Sequence, residues 1–127
     1  MNISGTNHDR RKILIVEDEE SNFELLKAML RKKEFDVLWA QTGREAIDIC
    51  NNHEIHLILM DIKMPEMNGY DALTILRKQG FKLPVIAQTA YARIEDETKA
   101  LSAGFDGYIS KPINRSKLDE LIDKFFH

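Results

Sequence analysis

Five polar residues stand where short apolar runs end. Glu17 and Asp18 follow Lys12 to Val16, and Asp61 closes the run from Ile55. Thr89 closes the run from Pro84, and Lys111 follows Gly107 to Ser110. Taken singly, each has an ordinary reading. Carboxylates favour the first turn of a helix, aspartate forms turns, a strand-end hydroxyl bonds backbone, and a lysine can simply be solvated. Taken together the ordinary readings fail, because three carboxylates at close range repel unless a cation offsets them. Oxygen ligands without His or Cys partners suit a hard ion such as Mg²⁺ or Mn²⁺. Lys111 would offer a compact positive charge to a phosphoryl group, and Thr89 a hydroxyl donor. Asp61, the central carboxylate, would be the nucleophile, forming an aspartyl phosphate.

For these residues to meet, the runs must be parallel strands with their C-terminal ends on one edge, where open α/β sheets bind ligands. The pattern supports this. Short apolar runs alternate with amphipathic stretches, as βα units do. Strands are expected at Lys12–Val16, Asp36–Gln41, Ile55–Asp61, Pro84–Thr89 and Gly107–Ser110. The first is apolar throughout after Lys12, as a strand covered on both faces should be.

Helices are expected from about Glu20 to Lys33 and from Thr42 to about Asn51, the second opened by the capping box Thr42-Gly43-Arg44-Glu45. Further helices run from about Tyr70 to Gln79, stopped by Gly80, and from about Ile94 to Ala103, stopped by Gly104. The last starts at Asn114 as N-cap and reaches Phe126, with Leu118, Leu121, Ile122 and Phe125 as its apolar stripe. Right-handed crossovers then imply a doubly wound five-stranded parallel sheet of order 2-1-3-4-5, a flavodoxin-like (βα)5 fold.

Bulk composition agrees. The 127 residues are one domain by length, 43% hydrophobic and 31% charged. With 18 Lys plus Arg against 21 Asp plus Glu, the formal charge of −3 gives no electrostatic support for direct nucleic-acid binding. No apolar run approaches the ~18 residues of a membrane span. Residues 1–11 read as a flexible N-terminal segment or linker, and 12–127 as the domain. Cys50, the one cysteine, excludes an internal disulfide and reads as a small core residue in a reducing compartment. Trp39 and Met60, Met64 and Met67 read as packing residues, and Arg31-Lys32-Lys33 as the favourable cationic end of a helix. His53 and His56 are too far from the acidic pair along the chain for a zinc motif.

From about Arg11 onward the sequence resembles a response-regulator receiver domain of two-component signalling. The resemblance is carried by Ile13-Leu14-Ile15-Val16-Glu17-Asp18, by Leu59-Met60-Asp61-Ile62-Lys63-Met64-Pro65-Glu66-Met67-Asn68-Gly69, by Gln88-Thr89-Ala90 and by Gly107-Tyr108-Ile109-Ser110-Lys111-Pro112. It implies that Asp61 accepts a phosphoryl group from a phosphohistidine on a sensor histidine kinase or histidine phosphotransfer protein. Asp18 and Asp61 would ligate Mg²⁺ by their side chains, Lys63 by its carbonyl, and Glu17 through water. Glu17 stands where an aspartate is often found, and its extra methylene suits that indirect contact.

Thr89 and Lys111 would bind phosphoryl oxygens, and Tyr108 would turn inward as Thr89 moves. The face of the fourth helix, fifth strand and fifth helix would then change its affinity for partners, a second copy included. The resemblance also implies a cis Lys111–Pro112 peptide, although trans is the default for any X–Pro bond. Lys63 and Tyr91, each two residues past a site residue, are expected to border the phosphoryl group and tune its lifetime.

Two other functions fit these residues less well. A haloacid-dehalogenase-type phosphotransferase wants an acid two positions after its nucleophile, where Lys63 stands. An interaction module without phosphotransfer would not need the full acidic set with Thr89 and Lys111. The expected protein is therefore a signalling module rather than a metabolic enzyme, facing the cytoplasm. The chain is expected to be either a single-domain regulator or a receiver from a hybrid histidine kinase, whose parent protein could be membrane-anchored; the run Leu83 to Ala92 is similar to hybrid-kinase receivers.

Overall fold

Five parallel strands form one sheet in the order β2-β1-β3-β4-β5, as expected. The computed structural model describes residues 10–31, 35–90 and 93–126. The strands are β1 Lys12–Val16, β2 Asp36–Ala40, β3 Leu57–Asp61, β4 Val85–Thr89 and β5 Gly107–Ser110. Between and after them run α1 Glu20–Leu30, α2 Gly43–Asn52, α3 Gly69–Lys78, α4 Ile94–Ala103 and α5 Arg115–Phe125. β3 and β4 are buried at every position, which is why Leu57 to Met60 and Val85 to Ala87 read as continuous apolar runs rather than alternating ones.

Alternate strand residues feed two cores. Ile13, Ile15, Leu57, Leu59, Ile86 and Ile109 pack with Phe23, Leu26 and Leu30 of α1 and Leu118 and Ile122 of α5. Leu14, Val16, Ile58, Met60, Val85 and Ala87 pack on the other face with residues of α2, α3 and α4 such as Ile47, Leu73 and Ala100. The site edge is thus held between two apolar layers.

Helix ends follow local chemistry. Thr42 accepts from the Glu45 amide at 3.1 Å, and Glu45 reaches back to the Gln41 amide at 2.6 Å. Asn114 caps α5 through the Lys117 amide at 3.1 Å. Gly104 ends α4 at φ 112°, a left-handed conformation that favours glycine. Helix α1 is shorter than its expected range, with Arg31 as C-cap; Lys32 and Lys33 lie outside the described residues. Ile55 and His56 precede β3 rather than join it, and His56 Nδ1 accepts from the Lys12 amide at 2.9 Å. Of the N-terminal segment, Arg10 pairs with Asp36 at 2.7 Å and Arg11 lies 4.6 Å from the Phe126 ring centroid.

Candidate functional site: an acidic cluster around one lysine

The C-terminal strand ends bring Glu17, Asp18, Asp61, Thr89 and Lys111 to one edge. Glu17 and Asp18 follow β1, Asp61 and Thr89 end β3 and β4, and Lys111 follows β5. Glu17 is fully buried, and Asp61 and Thr89 are each 4% exposed, while Asp18 is open to solvent. Carboxylate oxygens of Glu17, Asp18 and Asp61 lie within 4.8 Å of one another. The Lys111 ammonium donates to Glu17 Oε1 at 3.0 Å and to Asp61 Oδ2 at 3.1 Å. The Lys63 amide donates to Asp61 Oδ1 at 3.0 Å.

The electrostatics are unbalanced. Burial pushes the Asp61 carboxyl above its usual range, against the pull of Lys111 and the Lys63 amide, and the Asp18 charge adds to the rise. Burial likewise raises Glu17, with the nearby Asp61 adding to the rise and Lys111 opposing it. Burial alone would lower Lys111, but its bonds and charges from Glu17 and Asp61 outweigh that and raise it. The ammonium therefore stays charged, and one positive group faces three acids. A hard divalent cation fits this donor set, which is all carboxylate oxygen with no thiolate or imidazole.

A family model of the response regulator receiver domain matches residues 13–123. The chain belongs to that family. It is 37% identical over 130 residues to hybrid signal transduction histidine kinase I of Dictyostelium discoideum, covering 95% of this chain and 8% of that protein. The chain spans less than half the length of the curated relatives first matched, 8% of that kinase and 46% of Brucella CtrA regulators.

Among solved structures it is similar to the receiver domain of sensor histidine kinase PA1611 from Pseudomonas aeruginosa, which carries a magnesium ion in its active site cleft. That match has a TM-score of 0.83 at 32% identity, over 91% of this chain and 97% of the other. It is also similar to the Ssk1 receiver domain of Saccharomyces cerevisiae, crystallised with the histidine phosphotransfer protein Ypd1. There the TM-score is 0.81 at 30% identity, covering 91% and 88%.

Around the receiver's acidic pocket, the loop from β3 to α3 is tightly drawn. The Gly69 amide donates to the Ile62 carbonyl at 2.9 Å, and a Cβ on Gly69 would sit 2.8 Å from the Asp61 carbonyl oxygen. Only glycine permits that approach. Glu66 in the same loop holds φ 68°, an uncommon conformation for a side-chain-bearing residue. Asn68, just ahead of the helix expected from about Tyr70, is the α3 N-cap and accepts from the Asp71 amide at 2.9 Å.

The Lys111–Pro112 peptide is cis, as the resemblance implied. The Lys111 amide donates to the Thr89 carbonyl at 2.7 Å, tying the β5 loop to the end of β4. Tyr108 is half-buried on β5 and borders a groove of about 490 Å³ with Glu97 of α4 and Lys117 and Glu120 of α5. The Lys63 side chain is exposed, and Tyr91 lies outside the described residues. Cys50 is buried as expected, its thiol pushed by burial up to about 11.

Two residues near the site escaped the sequence reading. Trp39 stacks on Phe23 with centroids 4.5 Å apart, as packing, yet its indole N–H also donates to the Glu17 carbonyl at 2.8 Å. It therefore braces the backbone of the acidic pair. Asn22 donates to Glu17 Oε2 at 3.4 Å and to Glu19 Oε1 at 2.7 Å. A polar residue early in α1 was the only sequence signal for the second contact, and the first has none.

Proposed function

We propose that this receiver takes a phosphoryl group from a phosphohistidine onto Asp61, aided by Mg²⁺ or Mn²⁺, and then alters partner binding through α4, β5 and α5. The observation that carries this is one ammonium shared by two buried carboxylates, with a third beside them. A carboxylate oxygen of Asp61 forms the new P–O bond as the P–N bond to the imidazole breaks. Lys111 offsets charge on the phosphoryl oxygens, and the Thr89 hydroxyl donates to one of them.

Asp18 and Asp61 would hold the metal with their side chains, Lys63 with its carbonyl, and Glu17 through water. When bound, the metal supplies charge neutralisation to the incoming phosphoryl group. The fit of this chain to a receiver that holds magnesium supports the choice of ion. Its fit to a receiver crystallised with a histidine phosphotransfer protein supports the class of partner.

The domain acts as a signalling module whose only chemistry is its own phosphorylation and dephosphorylation. Likeness to a hybrid kinase favours a receiver within a longer cytoplasm-facing protein. Tyr108 turning inward as Thr89 shifts would couple the pocket to the groove beside Glu97, where a partner or a second copy binds.

Acetyl phosphate tests the reading. Phosphorylated protein should form only with Mg²⁺ present, should be absent in Asp61→Asn, and should be lost on hydroxylamine treatment. Metal-independent phosphorylation, or labelling of Asp61→Asn, sinks it. Lys63→Ala and Tyr91→Ala should speed dephosphorylation, because both side chains would screen the phosphoryl group from in-line water; unchanged rates remove that tuning role.

A further inference from the structure

Behind Lys111 lies a small pocket that the phosphotransfer chemistry does not use. Gln88 sits on β4 on the same side as Ile86, facing the layer of α1 and α5. It is 1% exposed, and neither its Oε1 nor its Nε2 has a hydrogen-bond partner among the described residues. An amide buried without partners loses the hydrogen bonds it would make to water, which disfavours folding. An apolar residue would fill the position without that cost. The carboxamide therefore calls for an occupant that can both donate and accept.

The space is there. A pocket of about 80 Å³ opens against Gln88, walled by Leu25 and Leu26 of α1 and by Pro112 and Ile113 of the β5–α5 loop. Those four walls are apolar, and Asn22 of α1 also lines the pocket. A water occupies about 30 Å³ in the liquid, so two fit, and a buried water needs two or more polar partners. Lys111 lines the same pocket. Two of its three N–H groups go to Glu17 and Asp61, and the third has no protein acceptor among the described residues.

We infer that the pocket under Gln88 is an internal hydration site whose water links the carboxamide to the third N–H of Lys111. Gln88 is then a positioning residue. It tethers the ammonium while its bonds to Glu17 and Asp61 exchange for a phosphoryl oxygen. The tether rests on the phosphoacceptor reading of Lys111; the hydration site does not.

The test compares wild type with Gln88→Met, which keeps length and volume but removes both polar atoms. In ¹⁵N-labelled wild type, the Gln88 side-chain NH₂ should show contacts to long-lived water, as should a high-resolution crystal structure. With acetyl phosphate at saturating Mg²⁺, Gln88→Met should be phosphorylated about three- to tenfold more slowly, the effect of one water-mediated bond to a charged group. Its melting temperature should be equal or higher, and its Mg²⁺ midpoint unchanged.

A dry pocket in the wild type overturns the hydration site. An unchanged rate in Gln88→Met, with wild type phosphorylated normally, overturns the tether and leaves the phosphoacceptor reading intact. Wild type that is not phosphorylated at all removes that reading and the tether with it, and the water measurement then decides the hydration site.

Discussion

At the N-terminal ends of β4 and β5, Asp106 meets Arg77. The guanidinium donates to Asp106 Oδ2 at 2.9 Å, to the Phe81 carbonyl at 3.0 Å and to the Leu83 carbonyl at 2.9 Å. Asp106 Oδ2 also takes the Val85 amide at 2.9 Å. At the opposite ends of the strands, Lys111 meets Glu17 and Asp61, with Asp18 beside them. Both clusters join distant segments, but their charge balance differs. One cation against one anion, its donors spread over loop carbonyls, closes on itself and fastens the loop before β4. One cation against three acids, two of them buried, does not close, and that edge has an electrostatic demand to be met from outside. Local charge imbalance, rather than the presence of ion pairs, is what distinguishes the two ends of this sheet.

The largest effect should come from Lys111→Met. Loss of the ammonium that bonds both Glu17 and Asp61 leaves two buried carboxylates without that counter-charge, so phosphorylation by acetyl phosphate should fall by about a hundredfold or more, as when a preorganised charge partner is removed. An equal rate in Lys111→Met would erase the distinction between the two ends.

Arg77→Ala should act on the other end and on stability alone. With three donors lost and the site about a third exposed, unfolding free energy should drop by about 1–3 kcal/mol in urea titration. The Mg²⁺ midpoint should stay put. A shifted midpoint would mean that the two ends are coupled.

Asp61→Asn sharpens the contrast, since it should stabilise the metal-free protein at neutral pH by removing a charged carboxylate that burial, and to a lesser extent Asp18, disfavours. The sign follows from the raised Asp61 carboxyl. Folding favours its protonated form, so the cost of the charged form is absent in acid and grows as pH rises through the carboxylate range. The gain in melting temperature should therefore shrink as pH falls, and Asp106→Asn should show no such gain.

The smallest effect belongs to Trp39→Phe. Stacking on Phe23 survives, but the bond to the Glu17 carbonyl is lost, and Mg²⁺ affinity should weaken about threefold, as for one neutral hydrogen bond. An unchanged midpoint would make Trp39 a packing residue only.

How much of this was legible beforehand differs by kind of signal. The strand and helix succession was readable because burial on two faces leaves continuous apolar runs and helix ends carry their own caps, as at Thr42 and Asn114. The five site residues were readable because parallel strands carry their ends to one edge, so positions in the chain become positions in space. The bracing of Glu17 by Trp39 was not, because it depends on β2 lying beside β1, and the indole offers no local sign of its acceptor. The capping role of Asn68 was not read, because its bond to the Asp71 amide lies within a turn motif that looks the same whether or not a helix starts there.

The amino-acid order by itself determined which groups stand at each strand tip and that acids outnumber bases there, since periodicity and local capping are short-range properties of the chain. Tertiary structure alone decided that Lys111 reaches both Glu17 and Asp61, and that the Gln88 carboxamide is buried with no hydrogen-bond partner among the described residues. These are distances and burials between segments far apart in sequence, set by how two helical layers close over the sheet, and no local pattern encodes them.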